Sequence, residues 1–252
     1  SKIMKKLIAA TAIVMALASS AFAQSKLSDA ERTDFRAEVR AYLMENPEVL
    51  MEAIAVLEDR RNNEAATADI SLLQTNADEI FNDPASWVGG NPDGDITVVE
   101  FMDYRCGYCK KAFTEVMELL ETDGNIRFVV KEFPILGEQS ELAARFAVAV
   151  LQLEGADVYE KAHDALMVMR ADVSTDSLTA LAAEVGITDT DTLAIMAHMT
   201  SPDVTSVIEA NRALAQRLDV NGTPTFVINK TLVRGYVPLD GMRQIVADQR
   251  KG

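Results

Sequence analysis

Cysteine is almost absent: the 252 residues contain two, and both fall in the cluster Cys106-Gly107-Tyr108-Cys109. Zinc would want two further ligands, yet no other cysteine exists and the two histidines, His163 and His198, lie far along the chain. A structural disulfide gains most by closing a long loop, whereas this pair closes almost none. Basic residues are also scarce, 24 Lys and Arg against 39 Asp and Glu for a net charge of −15, which removes any general electrostatic attraction to nucleic acid or anionic lipid. Long apolar runs are missing too. The run from Leu7 to Ala18 is well short of the ~20 residues that span a bilayer. With Lys5 and Lys6 before it and the small-x-small Ala21-Phe22-Ala23 after it, it predicts a signal peptide over residues 1–23 and export to an oxidising compartment. Cleavage there removes three lysines and no acid, taking the charge from −15 to −18.

The cysteine pair sits between two opposite patterns. Upstream, Ile96-Thr97-Val98-Val99-Glu100-Phe101 follows the turn residues Asn91-Pro92-Asp93-Gly94-Asp95 and predicts a buried strand. Downstream, Phe113, Val116, Met117 and Leu120 recur at helical spacing, with Lys110, Lys111, Glu115, Glu118 and Glu121 on other faces. The pair therefore starts a helix, where unpaired N–H groups and the positive dipole end favour a thiolate. Cys106 is the expected nucleophile with a lowered pKa, and Cys109, one turn in, the shielded resolving thiol. A structural disulfide, half a zinc site or two unrelated buried thiols are the competing explanations.

Before this centre, Ser28 and Glu31 form a possible capping box, and Phe35, Val39, Tyr42 and Leu43 stripe a first helix. Asn46-Pro47 is expected to cap a second, running through Val49, Leu50, Ala53, Ile54, Val56 and Leu57 before turning polar at Glu58 to Asn63. Residues Ala65 to Phe81 are weakly helical, and the domain boundary is placed near residue 80, with Gly89-Gly90-Asn91-Pro92 read as punctuation. After the centre, Ile126 to Phe133 predicts a second strand and so a parallel βαβ unit. Helical patterns fill about 138–218, and Thr225 to Ile228, a turn at Asn229-Lys230 and Leu232 to Arg234 predict an antiparallel hairpin before a last helix.

A Cys-x-x-Cys opening the first helix, a later Gly222-Thr223-Pro224-Thr225-Phe226 opening a hairpin and a helical insertion between them resemble the thioredoxin fold of the DsbA-like disulfide oxidoreductases, over about residues 91–250. The expected architecture is therefore α/β: a thioredoxin domain over 81–252 with an inserted helical subdomain, preceded by a helical extension over 24–80. Arg40-Ala41-Tyr42-Leu43 and Asn46-Pro47-Glu48-Val49-Leu50 resemble the extension of the ScsC branch (suppressor of copper sensitivity), and the Gly107-Tyr108 dipeptide is typical of that branch and of bacterial disulfide isomerases.

The resemblance implies the finer roles. Pro224 would be cis and would expose the backbone of Thr223 to a substrate strand, with Gly107 and Tyr108 beside it. Glu100, six residues before Cys106, and Lys131 on the second strand match a buried acid and base of that family. They are either a buried ion pair or a proton relay for Cys109. No cofactor is implied. The partners implied are exported proteins with cysteines, a DsbD-like or ScsB-like membrane reductase rather than a DsbB-like oxidase, and further copies of this chain, as a trimer, in the periplasm. Leu50, Ile54 and Leu57 lie on a short coiled seam, which supports self-association. Isomerisation of wrong disulfides is the expected activity, with dithiol oxidation or copper binding as alternatives. Met196 and Met199 flank His198 at a spacing that could hold Cu(I), but methionines at helical spacing more often fill cores, and no metal ligand is assigned.

Overall fold

The computed structural model describes residues 27–251, so the expected signal peptide lies outside the described residues. Ser28 opens helix α1 (Asp29–Glu45): its hydroxyl accepts from Glu31 N–H while the Glu31 carboxylate accepts from Ser28 N–H at 2.8 Å, the reciprocal capping box. Asn46 closes this helix rather than capping the next, because its backbone N–H and its Nδ2 both donate to Tyr42 O. Helix α2 (Glu48–Thr75) then runs through the polar stretch without a break, and the short α3 (Ala77–Phe81) follows.

The chain divides into two compact units, at Arg61 and Asn62. In the first, α1 buries none of its residues, and Phe35, Tyr42, Leu50, Ile54 and Leu57 are exposed. The second starts at Asn62, earlier than the boundary placed near residue 80, because Leu73, Asn76 and Ile80 are buried in its core. The helix runs unbroken through Glu58 to Glu64, where its apolar stripe gives way to polar residues.

The second unit is built on a sheet of β1 (Trp87–Gly90), β2 (Ile96–Met102), β3 (Ile126–Glu132), β4 (Thr225–Ile228) and β5 (Thr231–Arg234), in the order β1-β3-β2-β4-β5. Parallel pairing of β2 with β3 through helix α4 (Gly107–Asp123) gives the expected βαβ unit, and β4 returns antiparallel to β2. The hairpin turn is Asn229-Lys230, with Asn229 at φ 48° and bonded through both its N–H and its Oδ1 to the backbone of Thr97. Strand β1 falls where punctuation was expected. Gly90 has φ +64°, and an added Cβ there would lie 2.5 Å from Ile126 O, so glycine lets this edge strand close onto β3.

Between β3 and β4 stand α5 (Glu138–Glu154), α6 (Ala156–Val168), α7 (Thr175–Glu184), α8 (Asp189–His198) and α9 (Pro202–Arg217), the expected insertion, and α10 (Leu239–Lys251) ends the chain. Both faces of the sheet are covered, which is why β2 and β3 read as nearly unbroken apolar runs. Val98, Met102, Phe128, Val130 and Phe226 meet one core with α4, α5, α6 and α10. Val99, Phe101, Val129 and Val227 meet a second core with Leu73, Ile80, Leu214 and Leu218.

One buried carboxylate fixes the β2–α4 junction. Asp103, 1% exposed, accepts from Arg105 N (2.7 Å), Ile135 N (2.8 Å), Leu136 N (3.1 Å) and Ser140 Oγ (2.8 Å), while its carbonyl accepts from Cys106 N. Asp103→Ala would orphan these donors at a site closed to water, so we expect a loss of about 3 kcal/mol in urea unfolding. A loss under about 1 kcal/mol would mean that water or a neighbour replaces the carboxylate.

Candidate active site

Cys106 is the N-cap of α4, in extended conformation (φ −75°, ψ 116°), and its sulfur accepts the Cys109 backbone N–H at 3.3 Å. An N-cap side chain satisfies one of the donors that every helix start leaves open. As a thiol, the same Sγ donates to Thr223 O at 3.2 Å, and the Thr223–Pro224 peptide is cis. The sequence positions Cys106, Thr223 and Pro224 thus come together. Gly107 has open space where a Cβ would stand, and Tyr108 is exposed beside the nucleophile.

The two thiols are pushed apart in acidity. A hydrogen bond from the Cys109 thiol is the main cause that draws Cys106 down to about 6, against the effect of burial, with Thr223 and nearby backbone N–H groups helping. Cys109, fully buried, is raised by that same bond, then by burial and by the Glu100 charge. Glu100 is 3% exposed and its Oε1 has no hydrogen-bond partner. Burial, and then the charge on Cys106, lift its carboxyl to about 8. A thiol favoured as thiolate near neutral pH, a second thiol held protonated and a carboxyl raised toward neutrality are thereby collected at one helix start.

Lys131 is not part of this centre. Side chains alternate along a strand, and Lys131 is in register with Phe101 while Glu100 is in register with Val130. Lys131 therefore points into the second core, where Nζ bonds Glu79 O and Asp83 Oδ2, each at 2.7 Å. The pairing of Lys131 with Glu100 is corrected: Asp83 is the partner, and burial lowers the Lys131 pKa against the pull of that carboxylate.

Instead, Glu132 shares the dithiol's side of the sheet. Its Oε1 accepts from Tyr104 OH (2.7 Å) and Tyr159 OH (2.6 Å), and Tyr104 OH also bonds His163 Nδ1 (2.9 Å). Burial is the main cause that raises Glu132 to about 8 and the only one that lowers His163 to about 3, so His163 is a neutral core ring stacked on Tyr159 and Trp87. Parity along β3 separates Glu132 from Lys131. Which parity faces α4 is hidden, because both sets are apolar. Lys110 gives no sequence signal either: its ammonium donates to the carbonyls of Leu166 (3.2 Å), Met167 (3.1 Å) and Met169 (2.5 Å) at the end of α6.

The copper alternative finds its residues already engaged: Met199 is buried in the core, and His198 Nε2 bonds Gln152 Oε1 at 2.7 Å. Among the described residues, no group of three or more His, Cys, Asp or Glu side chains is placed to hold a metal ion.

Residues 97–247 match the DSBA-like thioredoxin domain, and residues 31–64 match the copper resistance protein ScsC N-terminal domain. A thioredoxin-like oxidoreductase from Silicibacter pomeroyi is 44% identical, with a TM-score of 0.64 over 69% of this chain and 98% of that one. A linker-deletion variant of Proteus mirabilis ScsC is 26% identical, with a TM-score of 0.66 over 91% of this chain and 99% of that one. Disulfide bond formation protein D of Bacillus subtilis is 24% identical over 172 residues, 65% of this chain and 76% of that protein. Dithiol, cis-proline loop and helical insertion all lie within the matched span, and the chain belongs to the DsbA-like thioredoxin-domain family as a thiol-disulfide oxidoreductase of the DsbA and ScsC type.

Proposed function

We propose that the protein is an exported disulfide isomerase that acts on misfolded periplasmic proteins and works as a homo-oligomer, a trimer, assembled through its N-terminal helices. The observation that carries the reading is the first compact unit, whose α1 buries nothing and leaves Phe35 61% and Tyr42 54% exposed, with Leu50, Ile54 and Leu57 exposed on α2. Such faces call for a partner surface, and likeness to the ScsC N-terminal domain favours further copies of the same chain. Several Cys106 sites around one substrate raise the effective concentration of attacking thiolate and keep a recharging oxidase from each dithiol.

In the mechanism, the Cys106 thiolate attacks one sulfur of a wrong disulfide, forming a Cys106–substrate disulfide and expelling the other substrate sulfur as a thiolate. The substrate backbone pairs with the exposed backbone of Thr223. With its thiolate consumed, Cys106 no longer repels charge on Glu100, whose carboxyl then ionises more readily. A second substrate thiolate can release the enzyme, leaving a new substrate disulfide and a restored Cys106 thiolate. Alternatively Cys109 gives its proton to Glu100, attacks Cys106 and releases reduced substrate. The resulting Cys106–Cys109 disulfide needs a membrane reductase, of DsbD-like or ScsB-like kind, to return two electrons. A dithiol oxidase would run the same steps backward.

Cys106 alkylation should rise with pH through a midpoint near 6 and then level, since only the thiolate reacts; a midpoint at 8 or above removes the assignment. Glu100→Gln should slow resolution of a Cys106 mixed disulfide by about 10- to 100-fold while changing its formation much less. Equal slowing of both steps would leave Glu100 a structural residue. A version beginning at Asn62 should be monomeric by light scattering, retain thiol exchange with small disulfides and lose most of its ability to refold scrambled ribonuclease. Undiminished refolding by that monomer would end the isomerase-by-assembly reading.

A further inference from the structure

Tyr108 is 62% exposed, two residues after the nucleophile, yet its ring is not free. It packs against Tyr236, with centroids 5.9 Å apart and planes tilted by 33°. Tyr236 is itself held from three directions. Its hydroxyl donates to the Glu115 carboxylate (2.8 and 3.0 Å to the two oxygens), the Lys111 ammonium lies 4.3 Å from its ring centroid, and its neighbour Gly235 donates N–H to Pro224 O at 3.0 Å. Positions 108, 111 and 115 share one stripe of α4. Tyr236 therefore joins the cis-proline loop to the helix face that starts beside Cys106. Cation–π and hydroxyl–carboxylate contacts commit Lys111 and Glu115 to Tyr236. What faces outward next to the sulfur is an uncharged ring.

We propose that Tyr236 is a specificity-determining residue: it holds Tyr108 as an aromatic shelf on which an aromatic or large aliphatic side chain, adjacent to the reacting cysteine of the substrate, packs. Tyr108 makes the contact and Tyr236 positions it. An extended substrate laid along Thr223 places its cysteine over Cys106 and the neighbouring side chain within reach of Tyr108. Burying an apolar group there costs no unpaired charge, whereas an acidic neighbour would meet the electron-rich ring face without a free counter-charge. The inference rests on the substrate being a cysteine-containing polypeptide and makes no use of oligomerisation. Interior residues of a misfolded chain, where cysteines have apolar neighbours, fit this shelf best.

The test uses the full chain and symmetrical disulfides of two short peptides that differ only in Phe or Gly beside the cysteine. Each attack forms one Cys106–peptide disulfide and releases the second peptide as a thiolate, so the two second-order rates are directly comparable. We expect the Phe peptide to react about three- to tenfold faster with the unaltered protein. Tyr236→Ala should bring the ratio to about one, whereas Tyr236→Phe, which keeps the ring, should preserve most of the preference. Tyr108→Ala should also abolish it, with Tyr236→Ala adding nothing in that background. Equal rates for the two peptides in the unaltered protein, or an undiminished ratio in Tyr236→Ala, would overturn the proposal. The scrambled-ribonuclease test reads assembly and isomerisation instead, so the two readings fail separately.

Discussion

The backbone N–H of Cys109 needs an acceptor, and the sulfur of Cys106 supplies it. Oxygen usually fills this position, because a neutral thiol is a weak acceptor. An ionised sulfur is a far better one, so the contact that starts α4 is also the contact that favours the thiolate. Conformational and chemical requirements coincide in a single hydrogen bond. Asp103 makes it possible by gathering the chain on both sides of the junction, and the Cys109 thiol, held protonated by its hydrogen bond to Cys106 and then by burial, adds a second donor to the same sulfur.

Alternation along the central strands then decides which charges the dithiol meets. Glu100 and Glu132 face its side of the sheet, whereas the ammonium of Lys131 is on the other side with Asp83. The result is a face with carboxyls and tyrosine hydroxyls but no buried cation among the groups described around them. Carboxyls in that setting stay protonated to unusually high pH.

Much of this was legible from residue order. Cys106 and Cys109 fell between a β-branched run and a helical stripe, the Asn229-Lys230 turn marked the hairpin, and helical patterns filled the insertion over about 138–218. What escaped was set by tertiary contacts. Trp87–Gly90 is a short strand with two glycines, and only its docking on β3 makes it one. The face taken by Lys131 depends on register between strands, which neither strand carries alone because both of its faces are apolar. Asp103 drew no notice in the sequence, because Ile135, Leu136 and Ser140, three of its four donors, lie more than thirty positions away. Tyr236 likewise needs the fold to bring it to a helix formed over a hundred residues earlier.

Cys106 and Thr223 are 117 residues apart in sequence, and the strand that carries the proline loop beside the nucleophile is threaded against β2 only when the last quarter of the chain is present. During synthesis, N-terminus first, the two thiols exist long before Thr223 does. Until β4 docks, no carbonyl of Thr223 stands over Cys106. The complete pocket is a property of the finished chain, because one of its walls comes from a residue 117 positions after Cys106.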